Sequence, residues 1–135
     1  MAFGTFDLLH PGHLNYLHQA KKQGDYLIVV LARDKVKAKM GKLTLFSEKE
    51  RLFLIQNLAI VDEAVLGYLS RPLKIVIEKK PDVICLGYDH HIKEKELLQA
   101  LAPLGLKPVI KRMKPYHISK YKSSLLKAKI SQRFK

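Results

Sequence analysis

The apolar residues of this chain change period repeatedly, from unbroken strand-length runs to helical spacing and back, and few folds accommodate that alternation. Tyr26–Ala32 reads Tyr-Leu-Ile-Val-Val-Leu-Ala, the continuous apolar run expected of a strand buried on both faces. Met1–Phe3, Glu63–Leu66, Asp82–Leu86 and Pro108–Lys111 are shorter strand-like segments. Helix signals lie between them. Pro11–Lys22 begins with proline at its first position and stops at Gly24. Ser47 and Glu50 make a capping box that opens a helix through about Ala59. Pro72–Lys80, Glu94–Leu104 and Ser123–Phe134 complete the helices, and Arg33–Phe46 is expected to be a basic loop. Strands alternating with helices imply a parallel sheet covered on both faces. The expected fold is a small doubly wound α/β domain with a five-stranded parallel sheet. A chain of 135 residues leaves little room for a second domain, so 1–135 is expected to be one unit.

Composition narrows the partners without choosing one. Apolar residues make up 47% of the chain, enough for a continuous core. No apolar run approaches the ~20 residues of a membrane span, and the first residues do not read as a signal peptide. The single cysteine, Cys85, excludes an internal disulfide, fits a reducing cytoplasm and reads as a small core hydrophobe. Lys plus Arg outnumber Asp plus Glu by 25 to 12, and residues 111–135 contain nine basic residues and no acidic ones. Such an excess favours polyanions: nucleotides, nucleic acid or an acidic membrane surface. A solvated lysine-rich terminal helix explains the charge more simply.

In doubly wound sheets, ligands bind beyond the carboxyl ends of the strands, where strand order reverses. The first loop there reads Gly4-Thr5-Phe6-Asp7-Leu8-Leu9-His10-Pro11-Gly12-His13. Gly4 leaves its strand without a side chain, so a ligand could approach the backbone. His10 precedes a proline and is pushed towards an extended conformation. Gly12 and His13 fall in the first helical turn, where unpaired N–H groups and the helix dipole make an anion site. The dipole favours neutral imidazole, whereas a bound polyphosphate favours the cation. Two such rings can donate hydrogen bonds to charge developing on a transferring phosphoryl group. A His-x-x-His pair can also ligate a metal, with Asp89, His90 or His91 as a third ligand. The whole ten-residue string in a strand–loop–helix setting favours a nucleotide site.

At these residues the chain resembles the cytidylyltransferase-like nucleotidyltransferases, a Rossmann-like superfamily that includes glycerol-3-phosphate cytidylyltransferase, phosphopantetheine adenylyltransferase and the archaeal FAD synthetases. The likeness runs over nearly the whole chain. Leu86-Gly87-Tyr88-Asp89, with Lys79-Lys80-Pro81-Asp82 upstream, is most similar to the archaeal FAD synthetases. The resemblance implies that His10 and His13 stabilise the five-coordinate phosphorus, within a nucleotide-binding loop formed by Gly4, Thr5, Phe6 and Asp7. It implies that Asp7 positions ligands or the metal ion, and that Lys42 and Arg51 neutralise phosphate. Gly87, Tyr88 and Asp89 resemble the base and ribose contacts. Arg112, Ser123 and Ser124 resemble the family's pyrophosphate contacts. Each has a plainer reading: a solvated Lys42, an Arg51 salt bridge, a turn at Gly87–Asp89 and a helix cap at Ser123–Ser124. Lys122 stands where the family usually carries Ser or Thr, and a cysteine often found nearby in archaeal FAD synthetases is missing.

The implied reaction is ATP plus FMN giving FAD and pyrophosphate. Mg²⁺ would accompany the triphosphate, with no protein residue assigned as a metal ligand. The runner-up is CTP plus a polyol phosphate such as glycerol-3-phosphate, giving a CDP-alcohol. The resemblance also implies a homodimer. An isoalloxazine ring would need an aromatic surface, for which Phe6, Phe46, Tyr88 and Tyr116 are candidates. A nucleic-acid-binding module using the 111–135 face is disfavoured, because only Tyr116, Tyr121 and Phe134 interleave its charges. There is no G-x-x-x-x-G-K-[ST] loop and no G-x-G-x-x-G fingerprint. The string His10–His13 is also similar to class I aminoacyl-tRNA synthetases, which need a far longer chain.

Overall fold

Parallel strands cannot be joined by tight turns, so each pair requires a crossover, and this chain supplies helices for them. The computed structural model describes residues 1–135. Its strands are β1 (Ala2–Gly4), β2 (Ile28–Leu31), β3 (Glu63–Leu66), β4 (Val83–Leu86) and β5 (Val109–Arg112). They form one sheet in the order β3-β2-β1-β4-β5, with every neighbouring pair parallel. Helix α1 (Pro11–Lys21) joins β1 to β2, and α2 (Asp34–Lys39) and α3 (Glu48–Gln56) lie between β2 and β3. Helix α4 (Lys74–Lys79) precedes β4, α5 (Glu94–Leu101) precedes β5, and α6 (Ser123–Arg133) closes the chain. No helix is long and apolar enough to cross a membrane.

The period-two alternation of a strand sends successive side chains to opposite faces, and two apolar clusters result. Val29 and Leu31 join Leu17 and Ala20 of α1 and Ile55 of α3 on one face. Val30 joins Ile75 and Val76 of α4 and Leu97 and Leu101 of α5 on the other. β4 divides the same way, with Cys85 in the first cluster and Ile84 and Leu86 in the second. Covering both faces explains why these strands read as unbroken apolar runs. Each fully buried Leu or Ile contributes roughly 1.5–3 kcal/mol, so the paired clusters fix the sheet. The strand order reverses between β1 and β4, which leaves a crevice above their carboxyl ends.

Three expectations are corrected. The basic segment Arg33–Phe46 is not all loop, because it contains α2. That helix has no buried residue and so no apolar stripe for a periodicity argument to find. The helix from Glu94 ends at Leu101 and tightens into a 3₁₀ turn over Ala102–Leu104, before Gly105 adopts a left-handed φ of 75°. β1 begins and ends one residue later than expected, so Gly4 belongs to the strand.

Candidate active site

A cleft of about 550 Å³ lies over the crevice, walled by the β1–α1 turn, the loop after β4, the segment before α3 and the start of α6. The β1–α1 turn is held against backbone preference. Phe6 and Leu8 adopt left-handed φ values of 55° and 49°, which cost non-glycine residues roughly 1 kcal/mol or more each. Packing and hydrogen bonds offset that cost. The Phe6 ring is 3% exposed, stacks at 6.3 Å on Tyr16 and meets His13 edge-on at 5.5 Å. A Cβ on Gly4 would lie 2.6 Å from the Phe6 ring. Gly4 therefore makes room for the Phe6 ring, and both residues line the cleft.

Asp7 organises the surroundings. Its carboxylate accepts the Leu45 and Phe46 N–H groups at 2.7 and 3.0 Å and pairs with Lys127 Nζ at 2.6 Å. Its carbonyl accepts the Ser123 hydroxyl at 2.6 Å. Burial alone would raise this carboxyl, but Lys127 and the two N–H groups overcome it and hold it below the usual range. The carboxylate, which lines the cleft, joins three chain segments.

The two histidines cap α1 with their own rings. His10 Nδ1 accepts the Gly12 N–H at 3.1 Å, and His13 Nδ1 accepts the His10 N–H at 3.3 Å. The rings stack with centroids 3.7 Å apart. An accepting Nδ1 leaves the ring proton on Nε2 and requires neutral imidazole. Burial lowers the pKa of His10; at His13, burial with the neighbouring His10 lowers it to about 3. The structure thus favours two neutral Nε2–H donors. Gly12 is needed for this arrangement, since a Cβ there would sit 2.8 Å from His10 Cε1 and 3.2 Å from Tyr121 Cβ.

Thr5, Lys42, Gly87, Tyr88, Asp89, Ser123 and Ser124 all line the cleft. Ser123 and Ser124 are the first residues of α6, whose N-cap is Lys122 with no side-chain capping bond. The serine cap is therefore corrected, and the first N–H groups of α6 carry no side-chain acceptor. Two arginines do not reach the cleft. Arg51 is 0% exposed: its guanidinium donates to the carbonyls of Thr5, Ala32 and Phe46 and pairs with Asp34 at 2.7 Å. Arg112 donates to the carbonyls of Gly87, His90 and Ile92 and pairs with Glu94 at 2.5 Å. Each rivets a loop, and neither is among the residues that line the cleft.

Lys37 and Lys127 join the cleft with no role assigned from sequence, and His90 and Tyr116 line it beside them. His90 Nδ1 accepts the Gly87 N–H at 3.0 Å and so shapes the loop after β4. Lys127 lies three and four positions after Ser124 and Ser123, a helical spacing that could have placed it on their face. Lys37 was hidden with α2. Tyr116 and Tyr121 stack at 6.1 Å beside His10. No group of three or more His, Cys, Asp or Glu side chains is placed to hold a metal ion. The cleft's carboxylates are committed Asp7 and exposed Asp89. That donor set fits a cation arriving on a triphosphate, not one caged by the protein.

The family model described as cytidylyltransferase-like matches residues 1–129. The chain belongs to the cytidylyltransferase-like family. Among the relatives of this cytidylyltransferase-like chain, the FAD synthase of Picrophilus torridus is 45% identical over 116 residues, covering 86% of this chain and 84% of that protein. The FAD synthase of Thermoplasma volcanium is 45% identical over 132 residues, covering 98% and 93%. A solved structure described as the lipopolysaccharide core biosynthesis protein of Thermoplasma volcanium shares 47% identity and superposes with a TM-score of 0.84, covering 86% of this chain and 95% of that one. The cytidylyltransferase-like fold and the first-loop motif thus coincide at one cleft.

Proposed function

We propose that this chain is an FAD synthase, a single domain over 1–135 that transfers AMP from ATP to the phosphate of FMN. The observation that carries the reading is its likeness to FAD synthases along 84% and 93% of their own lengths. The cleft supplies chemistry that suits it. An FMN phosphate oxygen attacks the α-phosphorus, the bond from that phosphorus to the bridging oxygen breaks, and pyrophosphate leaves with the electron pair. The attacking phosphate is already ionised, so no strong base is needed, and catalysis is positioning plus charge stabilisation. His10 and His13 donate through Nε2–H to the charge gathering on the α-phosphoryl oxygens. The N-terminus of α6, with Ser123, Ser124 and Lys127, receives the leaving pyrophosphate, and Lys42 adds charge from the facing segment. Gly87, Tyr88 and Asp89 meet the base and ribose. A divalent cation such as Mg²⁺, arriving on the triphosphate, would supply countercharge for the leaving group.

A two-by-two screen tests this reading: ATP or CTP against FMN or glycerol-3-phosphate, with pyrophosphate release as the readout. Release is expected from ATP with FMN alone. Release confined to CTP with glycerol-3-phosphate would replace FAD synthesis with CDP-alcohol synthesis on the same site.

A further inference from the structure

In-line displacement brings two anions together, and the acceptor must approach from the side opposite the leaving pyrophosphate. The helix starts of α1 and α6 serve the triphosphate. An acceptor phosphate needs a cation of its own that belongs to neither.

Lys37 meets that need. It is half-buried on α2, reaches the cleft from the β2 side and takes part in no ion pair of the protein. The other four cleft lysines differ from it. Lys127 is matched by Asp7, and Lys42, Lys114 and Lys122 are exposed. Burial first, then the charges of Lys42, Arg51 and Lys127, lower the pKa of Lys37, while Asp89 opposes the shift. The charge of Lys37 is also felt at His90. Lys37 lines the same cleft as Gly87, Tyr88 and Asp89 of the loop after β4, where the nucleoside is proposed to bind. A desolvated ammonium without a counter-ion is costly unless an anion arrives to pair with it.

We infer that Lys37 is the anchor for the phosphate of the acceptor, the group that attacks the α-phosphorus, and that it makes the site select phosphorylated over unphosphorylated acceptors. This assignment rests on the phosphoryl-acceptor reading above and goes beyond it by naming the residue that recognises the acceptor. A charged hydrogen bond of this kind is worth about tenfold or more in affinity.

The test compares FMN with riboflavin binding to the full chain, by flavin fluorescence, in the presence of a non-hydrolysable ATP analogue. Wild type should favour FMN. In Lys37→Gln that preference should fall at least about tenfold, with binding of the ATP analogue changed less than about twofold and melting temperature unchanged. Lys37→Arg should restore part of the preference, because it restores the charge. An unaltered FMN-over-riboflavin ratio in Lys37→Gln would overturn the assignment. Weakened binding of the ATP analogue with the ratio intact would also overturn it, and would move Lys37 to the triphosphate. Should wild type make a CDP-alcohol and not FAD, the FMN reading fails; the ratio of glycerol-3-phosphate to glycerol binding in the same variants then judges Lys37 separately.

Discussion

The histidine pair shows how one residue can serve fold and chemistry with different atoms. Nδ1 of each ring is spent on the α1 cap, which leaves a neutral Nε2–H donor on each of two rings that line the cleft. His10→Asn and His13→Asn should each lower kcat by at least about 100-fold, the scale of losing one oxyanion-type donor. Near-wild-type turnover in either folded variant would remove that histidine from the mechanism. The buried state of His13 also fixes a pH dependence. Its folded pKa is about 3, below its ordinary value of 6.5, so the unfolded chain takes up the proton first as pH falls. Its contribution to stability is complete above pH 6.5 and is lost progressively as pH drops towards 3. Melting temperatures measured from pH 7 to pH 4 should decline more steeply for wild type than for His13→Asn; parallel declines would mean that His13 titrates normally. Arg51 is the opposite case, a charged residue with a wholly structural assignment. Removing it strands buried carbonyls and Asp34, so Arg51→Ala should cost about 3 kcal/mol or more in thermal unfolding. A stable Arg51→Ala protein that loses only triphosphate binding would return Arg51 to the phosphate site.

Among the elements, α6 matters most, because it is tied to the site by its first turns and not by a core. It has no buried residue, yet Ser123 binds the Asp7 carbonyl and Lys127 binds the Asp7 carboxylate. Replacing Ser123 and Ser124 by Ala should weaken binding of ATP more than of AMP. Equal weakening would show that the serines serve only the helix. Ser124→Ala alone should leave stability within about 0.5 kcal/mol, since no serine cap exists to be lost. Which elements could be read from sequence follows from how each is held. β2, β4 and α3 announce themselves, through unbroken apolar runs and the Ser47–Glu50 capping box that the structure contains. α2 does not, because an exposed two-turn helix has neither apolar stripe nor side-chain cap. Within the site, Gly12, His10 and His13 were legible because they are contiguous. The commitments of Asp7, Arg51 and Arg112 were not, because their partners lie from 5 to 120 positions away and only the fold brings them together. Lys37 and Tyr121 entered the cleft for the same reason.

For the whole molecule, the net charge of +13 acquires a location. Lys37, Lys42, Lys114, Lys122 and Lys127 all line one cleft at the strand-order reversal. A concave wall of one sign raises the local concentration of anionic substrates, and two such substrates must meet here. Topology, charge and histidine geometry therefore converge on a single reaction site, for which FAD synthesis is proposed. The most direct measurement incubates the purified chain with ATP, FMN and Mg²⁺ and follows flavin fluorescence together with pyrophosphate. Fluorescence should fall as the adenine stacks on the flavin ring, with one pyrophosphate released per FAD formed, and riboflavin should be inert because it lacks the attacking phosphate. Unchanged fluorescence and no pyrophosphate from ATP and FMN, under conditions where CTP and glycerol-3-phosphate react, would contradict the account.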